Sequence, residues 1–99
     1  MTQITVTFVR KLPDWRGDAR LYKLSEPVGY DRDCETGKYA GTTDHVAVSA
    51  ADVMFSGPET YVFPADAEGE VLDWGAMDGS FRGALDHERA IREAEWVLA

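Results

Sequence analysis

The side chains best suited to bond-making chemistry in this sequence are His45, His87 and Cys34, and neither the types nor the spacings around them complete a known catalytic template. Nucleophilic catalysis needs a base held beside the nucleophile. Cys34 lies between Asp33 and Glu35, whose carboxylates disfavour a thiolate and make the sulfur a poor nucleophile. Ser56 sits in "FSGPE", without the glycine-flanked strand-to-helix elbow of a serine hydrolase. His87–Glu88 opens like a zinc-protease motif, but Ile91 stands where the second histidine is required. With one cysteine and two histidines a closed zinc site is poorly served. Asp31, Asp33 and Glu35 alternate as in a calcium loop, yet Thr36 replaces the turn glycine and Thr42 the bidentate glutamate. No glycine-rich phosphate loop occurs. We therefore predict no catalytic residue, no metal site and no cofactor, and expect His87 to be a half-buried structural histidine bonded to a carbonyl or carboxylate.

Charge is the more informative property. Residues 1–32 carry six Lys/Arg against four Asp/Glu, whereas residues 33–99 carry four against fourteen, so a net charge of −8 is concentrated in the second part. Between Lys38 and Arg82 there is no basic residue, while Asp44, Asp52, Glu59, Asp66, Glu68, Glu70, Asp73 and Asp78 all lie there. Such a surface repels nucleic acid and anionic membranes and attracts a basic protein surface. Simple solubility is the competing explanation. A lone cysteine, no signal-like start and no apolar run of about 18 residues point to a soluble, cytoplasmic protein.

The elements that must carry these groups follow from periodicity. The chain of 99 residues fits a single domain spanning 1–99. "ITVTFVR" alternates, with Ile4, Val6 and Phe8 on one side; "ARLYKL" places Tyr22 and Leu24 opposite Leu21 and Lys23. Residues 25–44 are polar and read as a long excursion or a mobile hairpin. "HVAVSA" is a strand with Val46, Val48 and Ala50 inward, and "TYVFPADAEGEVLDW" reads as a hairpin whose tip is "ADAEG". The segment 83–99 is predicted as one helix, capped by Ser80 or Asp78, with Ala84, His87, Ile91, Ala94 and Leu98 along one stripe. That stripe is expected to lie against Ile4, Val46, Val48, Tyr61 and Phe63. Strands first and a helix last argue an α+β fold: a small, mainly antiparallel sheet with one C-terminal helix packed on a face.

The strings "VSA" at 48–50, "FSGPETYVFPAD" at 55–66, "VLDWG" at 71–75 and "GSFRGALDHE" at 79–88 resemble a group of short, uncharacterised proteins of actinobacteria and their bacteriophages. The resemblance covers the C-terminal half of the chain. It implies an intracellular setting in an actinobacterium or its phage, and brings no activity, cofactor or catalytic residue.

The functional expectation is a small acidic binding protein that modulates another protein, a host factor if the gene is viral. Its predicted contact residues are Trp15, Asp66, Glu68, Glu70 and Trp74. Trp15 and Trp74 are candidate aromatic anchors, and the acids would steer a basic partner. The alternatives are a small hydrolase or transferase using His87 with nearby carboxylates, and a structural homodimer that buries its hairpin edge. One consequence is directly testable. Cys34→Ser should change stability by less than about 0.5 kcal/mol in a denaturant titration, because the most polar segment of the chain is expected to leave that thiol in water.

Overall fold

The computed structural model describes residues 3–13, 15, 17–53, 57–75, 77 and 79–99. They form β1 (Thr5–Lys11), β2 (Asp18–Arg32), β3 (Tyr39–Val53), β4 (Gly57–Ala65), β5 (Phe81–Arg82), α1 (His87–Glu93) and β6 (Val97–Leu98). The strands join in one sheet in the order β5-β4-β3-β2-β1-β6. All pairings are antiparallel except β1 with β6, which is parallel, so the sheet is mixed.

Strand alternation gives the sheet two unlike faces. Val6, Tyr22, Leu24, Val46, Val48 and Val62 point to one face and are buried with Ala90 and Ile91 of α1. Ala19, Leu21, Ala47 and Ala65 point to the other, joined by Leu12 and flanked by Trp15. The helix is fixed to its face by a fully buried hydroxyl. Thr60 Oγ1 donates to Ala84 O at 2.9 Å and accepts from Asp86 N at 3.1 Å. Asp86 in turn caps the helix, its Oδ1 accepting from Arg89 N at 3.0 Å.

Several elements differ from the sequence expectation. Helix α1 spans only His87–Glu93, because Glu95 adopts a left-handed conformation (φ 65°) and turns the chain back to the sheet. There Val97 N donates to Ile4 O at 2.9 Å and Ala99 N to Val6 O at 2.8 Å. The free edge of β1 thus recruits the residues expected to be the last helical turn. Leu98 is consequently exposed instead of packed, and Trp96 lies partly buried against the core. The cap is Asp86; Ser80 Oγ instead accepts from Val62 N at 2.9 Å, and Asp78 lies outside the described residues. The polar stretch 25–44, open between an excursion and a hairpin in the sequence, is the hairpin: it forms the outer part of a long β2–β3 pair closed at 33–38. Gly29 and Gly41 lie under the rings of Tyr39 and Tyr30, where any Cβ would collide. Cys34 is exposed at its end. The expected return strand after "ADAEG" is reduced to one bridge, Ala65↔Val71. Tyr61 and Phe63 face away from the helix, since Thr60, Val62 and Pro64 take the helix-side positions of β4.

The sheet also curls. β1 and β4 are separated by two intervening strands, so in a flat sheet their axes would lie roughly 14 Å apart at about 4.8 Å per step. Yet Arg10 Nη2 donates to Glu68 O, and Leu12 packs against Gly69 in the turn that follows β4. Gly69 has φ +88°, and a Cβ there would stand 2.7 Å from Leu12 Cδ2. Gly69→Ala should destabilise the fold by about 1–3 kcal/mol through left-handed backbone strain and the displaced leucine, measured as a lower denaturation midpoint. An unchanged midpoint would mean that the turn does not hold the curl.

Candidate functional site

On the face opposite α1, β3 presents Ala47, Ser49 and Ala51 at alternate positions, and the neighbouring β4 presents Glu59, Tyr61 and Phe63. Small residues beside large ones leave space above the sheet. The curl and the turn at 66–70 enclose that space as a cup of about 600 Å³. Leu12, Pro13 and Trp15 from the β1–β2 connection wall one side; Glu68, Gly69, Glu70 and Trp74 complete the rim.

Aromatic rings dominate the wall. Trp15 and Trp74 have centroids 5.5 Å apart, Phe63 and Trp74 5.4 Å, Trp15 and Phe63 6.0 Å, and Tyr61 adjoins Phe63 at 6.1 Å. All four contacts are tilted or edge-on, the arrangement favoured by ring quadrupoles. Trp74 is nevertheless 70% exposed. An indole held against two ring partners and still open to water presents a preformed apolar contact surface.

The charged groups surround these rings. Among the described lining residues, Glu59, Glu68 and Glu70 are acidic and Arg10 is basic. Arg10 is tied to the Glu68 carbonyl, which leaves the Glu68 carboxylate free of that bond. At the end of the cup Glu59 is nearly buried, its side chain only 7% exposed, and Arg82 Nε lies 3.3 Å from its Oε1. The same Nε donates to Tyr61 Oη at 3.2 Å.

Four of the five contact residues expected from sequence, Trp15, Glu68, Glu70 and Trp74, line this one cup. Asp66 does something different. Its Oδ1 accepts from Glu68 N at 2.9 Å and from Glu70 N at 3.0 Å, so it shapes the turn that presents the other two acids. Sequence reasoning missed Glu59, Tyr61, Phe63 and Arg10 as cup residues. Their signal was present as alternation in β4, but period two does not say which face the helix covers. Arg16, the basic residue next to Trp15 in the sequence, lies outside the described residues.

Neither histidine lines the cup. His87 is buried beneath α1, and its Nε2 donates to Asp18 O at 2.7 Å. His45 lies on β3, its Nδ1 donating to Asp44 Oδ1 at 2.8 Å, and that bond holds the Asp44 carboxyl below the usual carboxylate range. Asp18 is held low chiefly by its hydrogen bond from Arg20. A second cavity, of about 670 Å³, lies between the β2–β3 arm and Asp73, Gly75 and Met77, with Tyr30, Tyr39 and Trp96 also in its lining. Among the described residues no cluster of three or more His, Cys, Asp or Glu could hold a metal ion, and no helix is long and apolar enough to cross a membrane.

The acids of the 66–70 turn should separate by role. Asp66→Ala should cost about 1–2 kcal/mol through the loss of two hydrogen bonds that shape the turn, whereas Glu68→Ala and Glu70→Ala should each stay within about 0.5 kcal/mol. Equal effects in thermal melts would contradict the assignment of Asp66 to the turn.

No family model, curated protein or solved structure matches this chain, so the chemistry of the cup is read from its own geometry.

Proposed function

We propose that this chain is a small acidic binding protein that takes a basic segment of another protein into the cup and thereby modulates that partner. The observation that carries the reading is the meeting of Trp15, Phe63 and Trp74 around an open cavity whose rim holds Glu68 and Glu70. The rings supply apolar contact area at low entropy cost, and the carboxylates supply sign. Aromatic anchors in concave pockets dominate binding energy, while rim charges act mainly on encounter rate and on the choice of partner. A partner segment with an apolar residue flanked by Lys or Arg satisfies both requirements.

In this reading the protein works in the cytoplasm. The resemblance to actinobacterial and bacteriophage proteins makes a host factor the natural partner of a phage-borne copy. Nucleic acid is disfavoured as a ligand, because a net charge of −8 would have to approach phosphate.

Selection from a displayed library of dodecapeptides tests the proposal. Enriched sequences should pair basic residues with an apolar or aromatic one. Their association should slow by about tenfold or more between 0.05 and 0.5 M salt, as electrostatic steering is screened. Trp74→Ala should speed dissociation, and the double reversal Glu68→Lys with Glu70→Lys should slow association at low salt. Selected peptides without basic residues, or binding indifferent to both variants, would refute the reading.

A further inference from the structure

The pairing at the Glu59 end of the cup is incomplete in a telling way. Glu59 and Arg82 face each other across β4 and β5. The Glu59 side chain is almost withdrawn from water, at 7% exposure, while the Arg82 side chain that balances it is 74% exposed. A withdrawn carboxylate needs a cation, and the strongest arrangement is a two-point fork from guanidinium. Here Arg82 Nε stands 3.3 Å from Glu59 Oε1 as an ion pair, while its single N–H is given to the Tyr61 hydroxyl at 3.2 Å. Arg82 belongs to a strand of only two residues, at the edge of the sheet. Its long side chain can leave for solvent without disturbing the strand pairing, which is made by backbone atoms.

Resting on the cup as the site of a basic partner segment, we propose that Glu59 and Tyr61 form a guanidinium subsite, and that Arg82 fills it in the free protein as an internal stand-in for the partner's arginine. The incoming arginine lays its planar head along Tyr61 and Phe63 and makes the two-point contact with Glu59 that Arg82 does not make. Arg82 then turns outward into water. Lysine is a poorer occupant, since a spherical ammonium neither forks onto a carboxylate nor stacks flat on a ring. The protein's own arginine competes with the ligand, so apparent affinity is lowered by the fraction of molecules in which Arg82 is seated.

The test uses the full-length, ¹⁵N-labelled protein and two capped pentapeptides, acetyl-GLRLG-amide and acetyl-GLKLG-amide. The observed signals are the Arg82 Nε–H and the indole N–H groups of Trp15 and Trp74. The arginine peptide should shift all three, moving the Arg82 signal toward its solvent position. The lysine peptide should bind about fivefold or more weakly and leave Arg82 seated. Arg82→Gln should bind the arginine peptide about three- to tenfold more tightly than wild type, as expected when a competing state is removed. Glu59→Gln, with folding checked by circular dichroism, should lose the preference for arginine over lysine. If both peptides shift the indoles equally while the Arg82 signal stays fixed, the stand-in is refuted and the cup remains a binding site. If neither peptide moves either indole, the subsite and the cup reading fall together.

Discussion

The close approach of Leu12 to Gly69, with the Arg10 guanidinium bonded to the Glu68 carbonyl, is the constraint on which the candidate site depends. It joins the end of β1 to the turn beyond β4 and holds a four-strand span in a curl. Without that clasp the same side chains would decorate an open surface: Trp15 would have no Trp74 to stack on, and Glu68 and Glu70 would stand away from the rings. Glycine is required where the two segments touch, since any side chain would push them apart. This clasp therefore decides whether the aromatic and acidic residues act together.

The two faces of the sheet divide the work of holding the fold and presenting a surface. The helix side is filled by branched aliphatic residues, Val6, Leu24, Val46, Val48, Val62 and Ile91, which pack densely and leave little room. Thr60 sits among them as a satisfied polar pin, bonding both sides of the loop that leads into α1. Across the sheet, small residues on β3 meet large aromatics on β4, and the mismatch in size is the origin of the cavity. Because Thr60 and Tyr61 are neighbours in sequence but point to opposite faces, β4 fixes the scaffold with one set of side chains and lines the cup with the other.

Charge follows the same division. Glu59, Glu68 and Glu70 gather on the cup side, where they are desolvated to different degrees. Glu59 is withdrawn from water and Glu68 and Glu70 are exposed, so the first can discriminate between cations in contact while the others act at longer range. Asp66 contributes through the backbone it caps.

What the sequence determined by itself is local or compositional. Alternation set Ile4, Val6 and Phe8 on one side of "ITVTFVR" and Tyr22 and Leu24 opposite Leu21 in "ARLYKL", because side chains in a strand must alternate. The absence of Lys and Arg from 39 to 81 marked the acidic surface, and Trp15 and Trp74 stood out as candidate aromatic anchors. Tertiary structure decided the rest. Helical periodicity ran on through Leu98, but the unpaired carbonyls of β1 offered Val97 and Ala99 better partners than another helical turn. Polarity left 25–44 open between an excursion and a hairpin, and cross-strand pairing of β2 with β3 decided for the hairpin. Which face of β4 met the helix was settled by Thr60 and Val62 against α1, placing Tyr61 and Phe63 in the cup. The nearness of Trp15 to Trp74, and of Glu59 to Arg82, exists only because the sheet pairs distant strands and curls, and no pattern along the chain encodes a distance of that kind.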